Sequence, residues 1–361
     1  MADTTSSSAG TAAAATPANT INIGTRKSAL AVRQTELVIE SLQRLRPDLH
    51  YEIHAMQTLG DKDQVTALYN FGGKGLWTNE LEARLGAGEL DMIVHCLKDM
   101  PTTLPQGCVI GAVSEREDPR DVVVVKASLA AEYKSLADLP AGSVIGTSSI
   151  RRIAQLRRIY PDLRFQDVRG NIQTRLRKLD DEEGPFSAII LAAAGLLRMD
   201  YGDRISHYLD SSTGGILYAV GQGALCLEAR EGDERVLSLL RGFDHATTRL
   251  ACEAERSIMR TLEGGCSVPI GVETSWVGSP EDRTLRLKAT VVHVNGQDAV
   301  LGELTAPVHS AEDADALGKA LAKDLVDRGA QTILDDVNKT RAAAAAAAAE
   351  KAAGATTTAA A

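Results

Sequence analysis

Apolar positions along the chain alternate between two periods. Ile21 to Gly24 is a short apolar run, Thr25 to Ser28 a polar turn, and Ala29 to Arg44 carries Leu30, Leu37, Val38 and Leu42 at helical spacing with Pro47 beyond the end. The same logic predicts a strand over Tyr51–Met56, a helix over Thr78–Gly86 and a buried strand over Leu90–His95. Further on come a strand at Ser143–Gly146, a helix from Ile150 to Tyr160, a strand at Phe165–Asp167, a helix near Asn171–Asp180 and a strand at Ser187–Leu191. Strands alternating with helices predict parallel α/β sheets. Ile23-Gly24-Thr25 and Ile145-Gly146-Thr147 each precede a serine, basic residues and a helix, which suggests two similar α/β units. Two such units commonly hold a ligand between them, at the carboxyl ends of their strands.

The last third changes character. A helix over Cys252–Leu262 is stopped by Gly264-Gly265, and strands are predicted at Val268–Trp276, Thr284–Val294 and Ala299–Val308. Asn295-Gly296 reads as a hairpin turn, and Ser310 as the cap of a final helix whose first turn holds Glu312 and Asp313. Residues 1–20 and 341–361 are Ala/Ser/Thr-rich tails without an aromatic residue, expected to be disordered.

Composition narrows the function classes. With 361 residues, 44% hydrophobic, the chain can build two or three cores. No apolar run reaches the ~20 residues that cross a bilayer. The net charge of −9 argues against a generic nucleic-acid or anionic-membrane coat. It is unevenly spread, however: Thr147–Lys178 holds eight arginines and one lysine against two aspartates, a local +7 that leaves −16 elsewhere. Five cysteines without a Cys-x-x-Cys argue against a disulfide framework or structural zinc, and a reduced, cytoplasmic setting is expected.

Candidate chemistry falls at the turns after strands. In Gly146-Thr-Ser-Ser-Ile-Arg-Arg152, a serine can cap the helix, while Arg151 and Arg152 oppose the helix dipole. That placement suits carboxylate or phosphate binding; a solvated basic face is the alternative. Arg26, Lys27 and Ser28 fill the corresponding turn of the first unit. His95, Cys96, Lys98 and Asp99 follow a buried strand, so Asp99 is either a general acid/base and counter-ion or a simple cap before Pro101. Gly72-Gly-Lys74-Gly lacks the phosphate-loop pattern and reads as a loop delivering one lysine. Gly221-Gln222-Gly223 reads as a backbone crossing or hinge. Cys266 lies on a Gly-rich loop, while the other four cysteines read as core.

These stretches resemble the porphobilinogen deaminase (hydroxymethylbilane synthase) family. The resemblance is carried in order by I-G-T-R-K-S-A-L-A (23–31), G-G-K-G-L-W-T-N-E-L-E (72–82), H-C-L-K-D-M-P (95–101), R-E-D-P-R-D (116–121) and G-T-S-S-I-R-R (146–152). It continues through V-R-G-N-I-Q-T-R-L (168–176), A-A-A-G-L-L-R (192–198), V-G-Q-G-A-L (220–225) and E-G-G-C-S-V-P-I-G (263–271). It implies two periplasmic-binding-protein-like α/β lobes plus a smaller α+β C-terminal domain with a three-stranded antiparallel sheet. The implied boundaries are 21–116 with 218–242, 117–217, and 243–340.

The resemblance further implies a transferase that joins four porphobilinogen units head to tail, releasing ammonia at each step. The primer is a dipyrromethane cofactor in thioether linkage to Cys266, and hydrolysis then frees the linear tetrapyrrole. By motif position Asp99 is the catalytic carboxylate. Lys98, Ser149, Arg151, Arg152 and Arg169 are implied at the cofactor, and Arg26, Ser28, Lys74, Arg175 and Arg198 at the substrate. Neither metal, nucleic acid nor membrane is called for, and a monomer is expected. Cys96 and Trp77 stand where serine and phenylalanine are common, and Asn70 and Asn79 replace basic residues of some members.

Overall fold

The computed structural model describes residues 19–58, 60, 77–212, 215–262, 268–279, 281–340 and 342–343. Cys266, Lys74, Asn70 and nearly all of the two tails lie outside the described residues. Thr20, expected in the N-terminal tail, instead opens the first strand.

Two five-stranded sheets and one of three strands carry the architecture. The first sheet contains β1 (Thr20–Arg26), β2 (His50–Met56), β3 (Met92–Cys96), β4 (Cys108–Val113) and, from far along the chain, β10 (Leu225–Arg230). Its order is β2-β1-β3-β10-β4. The second contains β5 (Asp121–Val125), β6 (Val144–Gly146), β7 (Arg164–Gln166), β8 (Ala188–Ala192) and β9 (His207–Leu209), in the order β7-β6-β8-β5-β9. The two orders superimpose: β1 corresponds to β6, β2 to β7, β3 to β8, β4 to β9, and β10 to β5. The two lobes thus repeat one topology, as expected of two similar α/β units.

The repeated Ile-Gly-Thr is therefore structural. It occupies the corresponding strand in each lobe, followed by a helix that a serine caps: Ser28 Oγ accepts from Ala31 N (3.3 Å), and Ser149 Oγ from Arg152 N (3.5 Å). Both glycines are needed for close packing. A Cβ on Gly24 would lie 2.6 Å from Leu90 Cδ1, and one on Gly146 2.8 Å from Ile189 Cγ2.

The expectation of parallel sheets needs correction, because each sheet is mixed. β10 runs antiparallel to β3 and β4, and β5 antiparallel to β8 and β9. Neither strand is announced by periodicity. All five residues of β5, Asp-Val-Val-Val-Val, are buried, because both faces of that central strand are covered. The helix expected at Cys252–Leu262 also begins six residues earlier, at Ala246, in a Thr-rich turn with little apolar signal.

The third domain pairs β11 (Ile270–Val277), β12 (Thr284–Val292) and β13 (Ala299–Pro307) as an antiparallel meander. Gly296 takes φ +81° in the turn between the last two, as Asn-Gly predicted. Ser310 and Asp313 form a capping box on the helix Ala311–Asp327. That helix, the helix Ala246–Thr261 and the sheet share one core that includes Leu250, Ile258, Leu287, Leu317 and Leu321. No helix among the described residues is long and apolar enough to cross a membrane.

The lobes are joined by two strands of chain that cross at Gly223. Glu117 N donates to Gly223 O (3.2 Å), and a Cβ on Gly223 would sit 2.3 Å from Glu117 O at φ +90°. Gly223→Ala is therefore expected to cost about 2–5 kcal/mol, from left-handed strain plus overpacking. Gly88→Ala is the control: its φ is +77° but nothing lies within 4 Å, so about 1 kcal/mol is expected. Denaturant midpoints of the two variants check the difference.

Candidate functional site

The candidate residues gather where the parallel strands of both lobes end. Arg26 ends β1 and Ser28 lies just beyond it, Lys98 and Asp99 follow β3, Ser149, Arg151 and Arg152 follow β6, Arg169 follows β7, and Arg198 closes the short helix after β8. Across the gap, Leu30 of the first lobe approaches the second at Gly195, where an added Cβ would come to 3.9 Å.

The turn that presents Lys98 and Asp99 is one 3₁₀ turn, Leu97–Asp99. Leu97 and Met100 are buried in a small core with Val113, Ala224, Cys226 and Cys252, and Leu97 N donates to Ala224 O (3.0 Å). Three-residue periodicity buries 97 and 100 and leaves 98 and 99 half-buried towards the gap. Asp99 has no hydrogen-bond or ion-pair partner among the described residues. It shares its surroundings with Cys96, Lys98 and Arg175.

Cations crowd that carboxylate. Burial lowers the Lys98 ammonium pKa against the opposing pull of Asp99, and nearby Arg152 lowers it further. Arg175 is pushed down to about 10 by burial and by the charges of Arg152 and Arg169. Arg175 Nε donates only to Gly170 O (2.7 Å), and no carboxylate lies within ion-pair distance of it among the described residues. Burial also lowers Arg198, whose Nη2 donates to Gly223 O (2.6 Å). Such a concentration of like charge is costly unless an anion completes it.

Arg151 and Arg152 are placed differently from an open cation patch. Both are buried against Asp121, itself fully buried on β5. Arg151 Nη1 donates to Asp121 Oδ2 (2.7 Å) and Leu217 O (2.6 Å). Arg152 donates through Nε and Nη2 to Asp121 Oδ1 and through Nη1 to Ile190 O. Burial alone would raise the Asp121 carboxyl; the two guanidiniums overcome that and hold it well below the usual carboxylate range. Arg151 keeps Nε and Nη2 outside these bonds.

Arg26 stacks over Trp77, 4.0 Å from the ring centroid. Cys96 Sγ donates to Gln34 Oε1 (3.3 Å), and burial pushes its thiol up. Burial also raises Cys108 to about 11 and Cys252 to about 12. These thiols are not poised as nucleophiles. His95 is turned away, its Nε2 held 3.0 Å from buried Glu228.

Sequence reasoning did not single out the residues that tie the third domain to this site. Arg116 forks Glu255 (2.6 and 3.0 Å) on the helix Ala246–Thr261, and Arg116 Nε donates to Gln222 O. Arg256, on the same helix, donates to Pro101 O (2.7 Å), two residues beyond Asp99. The helix that leads towards residue 266 is thus bonded to the segment that carries Asp99. Arg116 and Asp121 lie within the R-E-D-P-R-D motif, the only sequence signal for them.

Comparison with known proteins gives the family. The model for the porphobilinogen deaminase dipyrromethane cofactor binding domain matches residues 21–238, and the model for the porphobilinogen deaminase C-terminal domain matches 249–327. The chain belongs to the porphobilinogen deaminase family. It is similar to the porphobilinogen deaminase of Neurospora crassa, 60% identical over 90% of this chain and 96% of the relative. The enzyme of Saccharomyces cerevisiae is 48% identical over 89% and 98%, and that of Synechococcus elongatus 48% over 90% and 97%. Membership makes the chain an enzyme of the transferase class, with a dipyrromethane cofactor-binding domain.

The residues described suit that group. Each pyrrole ring of this chemistry carries an acetate and a propionate, so the cofactor needs cations in number and an acceptor for its pyrrole N–H groups. Lys98 and Arg175 beside Asp99, with Arg169 next to Arg175 and Arg198 near Cys96, supply cations and an acceptor of that kind.

Proposed function

We propose that the protein condenses four porphobilinogen molecules head to tail on a dipyrromethane carried by Cys266 and releases hydroxymethylbilane. The placement of Asp99 beside Lys98 and Arg175, with Arg152 and Arg169 next to those two cations, carries the reading. In each step the substrate's aminomethyl C–N bond breaks and ammonia leaves. A C–C bond forms from that methylene to the terminal pyrrole α-carbon of the chain, whose hydrogen departs as a proton. When bound, the dipyrromethane supplies the first such α-carbon.

Asp99 accepts hydrogen bonds from pyrrole N–H groups, stabilises the substrate cation left by loss of ammonia and assists the proton transfers. Lys98, Ser149, Arg151, Arg152 and Arg169 hold the carboxylates of the cofactor, and Arg26, Ser28, Lys74, Arg175 and Arg198 those of incoming units. Ser28 and Ser149 use their oxygens as helix caps, which leaves each hydroxyl proton for a ligand. We read the enzyme as a cytoplasmic monomer acting without metal or nucleic acid.

Intact-mass measurement tests family chemistry and attachment together. The purified protein should carry the added mass of one dipyrrole, absent in Cys266→Ala, which should release no ammonia from porphobilinogen. An active protein with unmodified Cys266 would overturn the reading. Binding without ammonia release would instead mark a polycarboxylate-binding protein.

A further inference from the structure

Gln222 sits at the crossing of the two lobe connections and is 1% exposed. Every polar atom of its side chain is engaged. Nε2 donates to Pro119 O (2.7 Å) and to Asp121 Oδ1 (2.8 Å), and Oε1 accepts from Lys98 Nζ (3.4 Å). Its backbone carbonyl accepts from Arg116 Nε (2.8 Å). Two acceptors facing Nε2 and an ammonium facing Oε1 leave only one sensible orientation of the amide. The side chain therefore lies in an unbroken polar path from one lobe to the other. Arg151 and Arg152 hold Asp121, Asp121 accepts from Gln222, and Gln222 receives Lys98, the neighbour of Asp99.

We infer that Gln222 is a positioning residue that holds the Lys98 ammonium beside Asp99 and fixes it to the arginine-bearing lobe through Asp121. The inference rests on the functional reading of Lys98 and Asp99 given above. The reason for a glutamine is physical. A buried lysine must be kept charged if it is to hold carboxylates, and a neutral acceptor supports the ammonium without neutralising it. A carboxylate here would face Asp121 directly. The glycines on either side let the backbone deliver the side chain. A Cβ on Gly221 would lie 2.9 Å from Leu97 Cγ, in the very turn that presents Lys98.

Other charges also face Lys98: Asp99 on its own turn, Cys96 at the end of β3, Asp121 on β5 and Arg152 on the helix Ile150–Ile159. Gln222 adds one hydrogen bond in favour of the charged form. Removing it lowers the pH at which the ammonium is lost.

The test is the pH dependence of kcat/KM for ammonia release from porphobilinogen, with intact mass confirming the dipyrrole on each enzyme. Gln222→Met keeps the volume and loses the amide. Its alkaline limb should move about half to one pH unit lower than in the wild type. Gln222→Glu, should the first variant fold poorly, presents a carboxylate to the ammonium at alkaline pH and should move the limb upward. In a Lys98→Arg background, where the charge does not titrate in this range, neither substitution should move the limb. Limbs that stay at the wild-type position, or move in the same direction for both variants, overturn the inference while wild-type turnover leaves the functional reading standing. A dipyrrole-loaded wild type that releases no ammonia overturns both.

Discussion

Asp99→Ala is expected to fold, to carry its dipyrrole, and to lose turnover by about 10²- to 10⁴-fold. The fold should survive because the turn does not depend on this side chain. Leu97 and Met100 anchor it from below, and Asp99 bonds nothing among the described residues. The activity should not survive because the surroundings are one-sidedly positive. With Asp99 gone, Lys98 and Arg175 would face a substrate cation with no carboxylate between them. Asp99→Asn separates shape from charge: it restores the volume and an acceptor but should recover little rate. Single-turnover ammonia release measures both variants, and a rate within threefold of the wild type would remove Asp99 from the chemistry.

Asp121→Ala should show the largest loss of stability. It leaves two buried guanidiniums without a counter-ion, which costs about 3–5 kcal/mol. A fall in Tm of roughly 5–15 °C should follow. Glu234→Ala, which breaks the exposed pair with Arg241, should change stability by less than about 1 kcal/mol. The pH dependence has a definite sign. The folded-state carboxyl of Asp121 lies below its unfolded value, so its contribution is complete above the ordinary carboxylate pKa of ~3.9. It is lost as pH falls below that value and through the depressed one. The gap between wild type and Asp121→Ala should therefore be constant from pH 5 upward and close in stronger acid. Chemical denaturation across that range measures it.

Asp121 also shows where sequence reading stops. The Arg151-Arg152 pair at a helix start pointed to anion binding, and its position at a strand end was correct. That both side chains turn inward to one buried carboxylate depends on a residue thirty positions earlier, brought beside them only by the second sheet. The same distance problem hid Gln222, 124 residues from Lys98. The place of Asp99 at a strand end was legible because its signal is local: a buried apolar run, then a turn that alternates buried Leu97 and Met100 with Lys98 and Asp99. β5 was not, because four valines in succession carry no period.

By itself the sequence determined the strand–turn–helix units, their duplication, the serine caps and the Asn-Gly hairpin. Each of these depends on residues within a few positions of one another, where backbone preference and burial period act directly. It also determined which residues stand at the strand ends, since ordered motifs mark them. The tertiary structure alone decided that each sheet is mixed, that β10 enters the first sheet antiparallel between β3 and β4, and that the cations of the second lobe are aligned through Asp121 and Gln222 with Lys98 of the first. Those outcomes need segments from about thirty to more than a hundred residues apart to share a sheet or a buried hydrogen bond. No local pattern encodes that contact, because its energy exists only once the intervening chain has folded and excluded water from it.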